Sequence, residues 1–115
     1  MNQTVEKKSF QFLIQIVKLC RCLRSEHKEF ILSNQLLRSG TSIGANVAEA
    51  QQAQSRADFV NKISIALKEA VETDYWLRLL SVSDYISKSD FDFFISECRE
   101  IQKMLTAIVK TTKSS

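Results

Sequence analysis

Proline is absent from the 115 residues, and glycine occurs only twice, at Gly40 and Gly44. All-β and α/β folds need turn formers every ~8–12 residues, so this shortage excludes both and leaves an all-α chain. Histidine occurs once, at His27, among Glu26, Lys28 and Glu29. A multi-histidine metal site is thereby excluded, and the Glu-x-x-His pairs of di-iron bundles are missing. A Ser-His-Asp triad would rest on that one residue, whose charged neighbours mark it as surface. The sequence holds neither a glycine loop that could cradle phosphate nor a nucleophile beside a base. No catalytic residue, metal or cofactor is expected, and the chain reads as a non-enzyme.

Cysteine is scarce and odd in number, at Cys20, Cys22 and Cys98. That fits a reducing compartment better than a disulfide framework. Cys20 and Cys22 point about 200° apart on a helix, which suits neither a shared metal nor a disulfide. Cys20 and Cys98 fall on apolar stripes and read as small core residues. The N-terminus is charged up to Lys8, and no apolar run approaches the ~20 residues that span a bilayer. A soluble, cytoplasmic protein without membrane contact is expected.

What is present is helical periodicity. A chain of this length forms one domain, residues 1–115, and removes about two-thirds of its unfolded surface from water. The spacing predicts helices over about residues 4–24, 27–54, 56–82 and 88–112. Thr4 caps the first; Ser55 with Asp58 as its reciprocal partner opens the third; a cluster at residues 87–90 opens the fourth. In the first helix Phe12, Ile16, Leu19 and Leu23 form one apolar stripe, and Phe10, Leu13, Val17 and Cys20 form another beside it. That is broader than a single seam requires. Short loops between helices of similar length make antiparallel neighbours, hence an up-down-up-down four-helix bundle.

The densest run of small residues, 36–53, sorts into three stripes at 100° per residue. Leu36, Ile43, Val47 and Ala50 make an apolar seam. Gly40, Gly44 and Ala48 make a shallow stripe that another helix can approach closely. Arg38, Ser42, Asn46 and Glu49 make a polar stripe, for which Glu69, Glu72 and Asp74 offer partners and Tyr75 or Trp76 a closing member. These polar groups are read as a network that fixes helix register or subunit geometry. A helix prepared for contact nearly all round lies centrally or against a neighbouring subunit, and it is read as continuing through both glycines, the alternative being that Gly40 ends one helix and Thr41 or Ser42 starts the next.

Net charge is +3, placed unevenly: +4 over residues 1–28, −4 over 29–100 and +3 over 101–115. An up-down-up-down bundle brings the start of helix one, the turn after helix two and the end of helix four to one end. Lys7, Lys8, Arg56, Lys110 and Lys113 would gather there and could meet phosphates.

The run Gln35-Leu-Leu-Arg38-Ser-Gly-Thr-Ser42-Ile-Gly-Ala-Asn46-Val-Ala-Glu49-Ala50, followed by Ser55-Arg-Ala-Asp58-Phe59, resembles the signature of the bacterial four-helix-bundle proteins of 23S ribosomal RNA intervening sequences. Ile65-Ala-Leu-Lys-Glu69-Ala-Val-Glu72-Thr-Asp-Tyr75-Trp76-Leu77 is similar to that family's third helix, although many members carry Gly-Ser where this chain has Lys68-Glu69. The resemblance implies a homo-oligomer, typically a pentamer, with helix two near subunit contacts. It also implies kinship with the accessory protein of diversity-generating retroelements, a basic pentameric bundle that binds nucleic acid and a reverse transcriptase. Members are often labelled S23 ribosomal proteins, a name inherited from gene location, and no catalytic residues come with the family.

The expected function is therefore a non-enzymatic homo-oligomeric bundle that binds RNA, or a nucleic-acid-processing partner, through a basic surface. The alternative is a protein-protein scaffold with no nucleic-acid binding.

Overall fold

The computed structural model describes residues 3–114. The expected domain of residues 1–115 thus includes three positions, 1, 2 and 115, outside the described residues. The described residues form four helices: α1 (Val5–His27), α2 (Ile31–Ala50), α3 (Arg56–Val82) and α4 (Lys88–Ser114). Each packs on its neighbour in sequence, and α1 closes against α4, so the four sit at the corners of a square about a long axis. The bundle measures 47 × 23 × 23 Å. The side formed by α1 and α2 is therefore opposite the side formed by α3 and α4.

The starts of α1, α3 and α4 are set by side chains. Thr4 Oγ1 accepts from Lys7 N–H at 3.2 Å, Ser55 Oγ from Asp58 N–H at 3.0 Å, and Ser87 Oγ from Asp90 N–H at 3.1 Å. The carboxylate of Asp58 reaches back to Gln54 N–H at 3.3 Å, completing the reciprocal cap one residue earlier than a standard capping box.

Three boundaries differ from the sequence expectation by more than two residues: the end of the first helix, and the start of the second, at Ile31 rather than residue 27, together with its end. The first helix runs to His27, past Ser25 and Glu26, because buried Leu23 and the edge-on contact of His27 with Tyr85 (5.7 Å) hold its last turn. The chain turns instead at Lys28, a non-glycine residue in the left-handed region (φ 53°), and Glu29 N–H closes the turn on Leu23 O at 3.0 Å. The second helix ends at Ala50, not near residue 54. There the N–H groups of Gln51, Gln52 and Ala53 tighten onto carbonyls three residues back, which releases the chain into the Ser55 cap.

The apolar seam of α2 is buried as its spacing predicts: Leu36, Ile43, Val47 and Ala50 are all within 2 % of full burial. Helix α2 is continuous through both glycines, neither of which has positive φ. At Gly40 the reason is space: a Cβ there would sit 3.1 Å from Ile16 Cγ2 on α1. Cys20 and Cys98 are core residues. Burial pushes the Cys20 thiol up to about 11 and the Cys98 thiol up to about 12, and they donate to the carbonyls of Ser33 and Ala70. Only Cys22 is exposed.

Candidate functional site

One of the five residues expected at the basic end, Lys8, is spent on ion pairs. Its side chain is buried in the seam with α4. Its Nζ pairs with Glu97 at 3.1 Å and Glu100 at 3.6 Å. These acids lie ten to thirteen residues before Lys110, about 15–20 Å up the helix. Lys8 lies one turn before Phe12, whose ring meets that of Phe94 on α4 edge-on at 6.4 Å, so its side chain shares that seam. A neutralised ammonium in that seam cannot also hold phosphate. Lys7, Arg56, Lys110 and Lys113 are exposed. The run that stays uncompensated is on α4, which carries no acid after Glu100 but presents Lys103, Lys110 and Lys113 to solvent.

The polar stripe of α2 is not one buried network. Arg38, half exposed, bonds Glu69 at 3.1 Å and also Glu72, which accepts from Trp76 Nε1 at 3.1 Å. The hydrogen bond from Arg38 holds the Glu72 carboxyl below its usual value against the opposing effect of burial, with Trp76 assisting. Ser42 and Asn46, one turn apart, satisfy each other on their own helix: Asn46 Nδ2 donates to Ser42 O at 2.8 Å. Glu49 reaches across to Lys62 at 3.4 Å. Thus the stripe splits into three separate links. The buried polar tie between α2 and α3 is a pair the helical spacing did not single out, Ser39 and Thr73, with hydroxyl oxygens 2.8 Å apart.

Two opposite faces stand out once these links are removed. On the α1/α2 side, part of the second apolar stripe of α1 is left uncovered together with neighbouring Ile14: Phe10 is 64 % exposed, and Ile14 and Val17 are also exposed, while Leu13 is half-buried and Cys20 enters the core. Beside it, Leu13, Gly44 and Ala48 line an almost wholly apolar hollow of about 580 Å³. Gly44 and Ala48 form a floor without side-chain bulk, since a Cβ on Gly44 would meet only Leu13 Cδ2 at 3.9 Å. Gly44→Ala is expected to stabilise the isolated chain by about 0.5–1 kcal/mol, because the helix gains and nothing clashes. A thermal melt checks this; a lower midpoint would mean that another surface closes on Gly44.

On the α3/α4 side the centre is Asp74. It is buried among donors: Arg78 Nε at 2.9 Å, Arg99 Nε at 3.0 Å and Gln102 Nε2 at 2.9 Å. Sequence reasoning assigned Asp74 to the Arg38 side, but its carboxylate points the other way, to α4. The Asp74–Arg78 spacing of one turn was the available signal. Burial alone would raise the carboxyl's pKa. The hydrogen bonds from Arg99, Gln102 and Arg78 outweigh it and hold the group below the ordinary Asp value. The folded chain thus binds fewer protons here than the unfolded one. The stabilisation is full above the unfolded pKa of about 3.9 and is lost as pH falls through the lowered folded value. Asp74→Asn is expected to cost about 1 kcal/mol at neutral pH, a modest figure because both arginines can return to water. It should also flatten the acid limb of the stability–pH curve; an unchanged acid limb in urea melts would contradict this.

Among the described residues, no group of three His, Cys, Asp or Glu is placed to hold a metal ion, and no helix is long and apolar enough to cross a membrane.

Comparison with known proteins fits this architecture. No curated protein matches the chain. A crystal structure from the S23 ribosomal protein family of Bacteroides thetaiotaomicron VPI-5482, a protein with unknown function, superposes with a TM-score of 0.92. It is 53 % identical, covering 93 % of this chain and 99 % of its own. The family model for 23S rRNA-intervening sequence proteins matches residues 1–107. With the fold, the continuous small-residue helix and these matches in agreement, the chain belongs to the family of 23S rRNA-intervening sequence proteins.

Proposed function

We propose that the protein is a non-enzymatic, self-assembling helical bundle that joins copies through its α1/α2 face and binds nucleic-acid phosphate through its α4 lysines. The observation that carries this reading is the division of the surface. An uncovered apolar face (Phe10, Ile14, Val17) lies opposite the side bearing an uncompensated basic run (Lys103, Lys110, Lys113). Apolar side chains at helical spacing next to a small-residue floor suit helix against helix, and association removes them from water. Assembly also multiplies charge: a +3 chain is a weak polyanion binder alone, whereas five copies, the number the resemblance implies, bring about +15. Such binding needs no base-reading motif, and none is required of the partner.

The basic surface expected at Lys7, Lys8, Arg56, Lys110 and Lys113 is here redrawn. Lys8 leaves it, and Lys103 joins Lys110 and Lys113. Gly40 packs inward on α1, so only Gly44 and Ala48 of the small-residue stripe serve the assembly face. Three free thiols support a reducing, cytoplasmic location.

A protein scaffold without nucleic acid would share the α1/α2 face but give the α4 lysines no role. Retention on heparin that weakens steeply with salt is the expected result, and passage straight through the column at low salt favours the scaffold.

A further inference from the structure

The α3/α4 side holds more than charge. Near one end, Tyr75, Arg78, Val82 and Phe91 line a hollow of about 380 Å³. Further along, Arg99, Gln102, Lys103, Thr106 and Lys110 line a second of about 520 Å³. Asp74 joins them, for it accepts from Arg78 of the first hollow and Arg99 of the second. Both arginines spend Nε on that carboxylate and remain more than half exposed, at 53 % and 55 %. Their terminal amino groups are therefore held in place yet available to an anion. Tyr75 is 53 % exposed, and the Arg78 guanidinium lies over its ring at 5.6 Å from the centroid. Thus the two hollows and the ion pairs between them form a groove with planar and apolar groups at one end, two oriented guanidiniums in the middle and, at the other, lysines that make no ion pair among the described residues. From Phe91 to Lys110 it follows about 28 Å of helix.

Resting on the nucleic-acid reading above, we propose that this groove binds single-stranded nucleic acid, with a base stacked on Tyr75 beside Arg78 and the sugar-phosphate chain running past Arg99 and Lys103 to Lys110. A ligand for this surface must alternate flat apolar rings with anions. An unpaired strand does so with its bases free, whereas a duplex buries its bases and offers only phosphates. Every base has a stacking face, so the groove discriminates strandedness rather than sequence. It lies opposite the assembly face and stays open when copies join there.

The test is fluorescence anisotropy of the full chain with a labelled single-stranded RNA and with a duplex of the same sequence, across salt. The single strand is expected to bind more tightly. Tyr75→Ala should weaken it by roughly 5- to 150-fold while leaving the duplex and the salt slope unchanged, and Tyr75→Phe should restore it. Circular dichroism confirms that the variants are folded. Equal binding of the two RNAs, or a Tyr75→Ala variant that binds both as the parent does, overturns stacking and leaves only the charge-based reading. Failure to bind either RNA at low salt overturns that reading too, and with it the groove.

Discussion

Reversing charge at Lys103 and Lys110 together is expected to weaken RNA binding at low salt by about 100-fold or more without altering the fold or the subunit number. Both side chains are exposed, and neither makes an ion pair among the described residues, so the helix loses no partner when they change. They are nearly two turns apart on α4 and border the same hollow as Arg99. Each lysine that neutralises a phosphate of a single strand releases condensed counterions, contributing about 0.7 to the slope of log affinity against log salt. Removing two contacts should therefore flatten that slope by about 1.4 per copy, and the substituted glutamates add repulsion at short range. The slope separates a lost contact from a lost fold. A variant with a normal melt, parental affinity and an unchanged slope would mean that these lysines do not meet phosphate. Charge reversal at Lys8 should behave differently. Its ammonium is sandwiched by Glu97 and Glu100, so Lys8→Glu destabilises the α1/α4 seam and reports on folding rather than on RNA.

The second large effect concerns assembly. Phe10→Asp combined with Ile14→Asp is expected to leave a folded protomer of 13.2 kDa that no longer associates. The two positions are one helical turn apart and exposed by 64 % and 41 %, so the protomer core does not depend on them. If copies join on this face, each side chain contributes about 1.5–3 kcal/mol when it leaves water. An aspartate in its place must be desolvated without a partner. The combined loss is about 4 kcal/mol or more per interface, roughly a thousandfold in the association constant. Light scattering reads the mass directly, and far-ultraviolet circular dichroism checks the helices. If the doubly substituted chain kept the parental assembly, the α1/α2 face would not be the contact surface.

Much of this architecture is written in local spacing. The seam of Leu36, Ile43 and Val47, the Ser55–Asp58 cap, and the reach of Arg38 to Glu69 and Glu72 all follow from residues three, four or seven apart, or from one antiparallel register. The width of apolar surface on α1 was legible too, as more stripe than one seam can bury; Phe10 and Val17 of the second stripe are left exposed, whereas Cys20 of the same stripe enters the core. What escaped depends on how helices cross. Lys8 reads as a wet residue until α1 leans on α4 and brings Glu97 and Glu100 over it. The turn at residues 28–30 escaped because Lys28 takes a left-handed conformation that glycine or asparagine would have announced. Asp74 follows Glu69 and Glu72 within five residues, so composition alone did not tell that it serves a different helix from theirs. The α3/α4 groove joins Arg78 to Arg99 across a helix connection, a proximity that no local pattern encodes.

Mass and RNA uptake measured together test the central claim most directly: light scattering of the purified protein, alone and with short single-stranded RNA, at low and at high salt. The predicted result is a particle of several chains, about 66 kDa for five copies of the 13.2 kDa chain, that gains RNA mass at low salt and sheds it at high salt. A particle of one chain at every concentration, or an assembly that takes up no RNA at any salt, would contradict it.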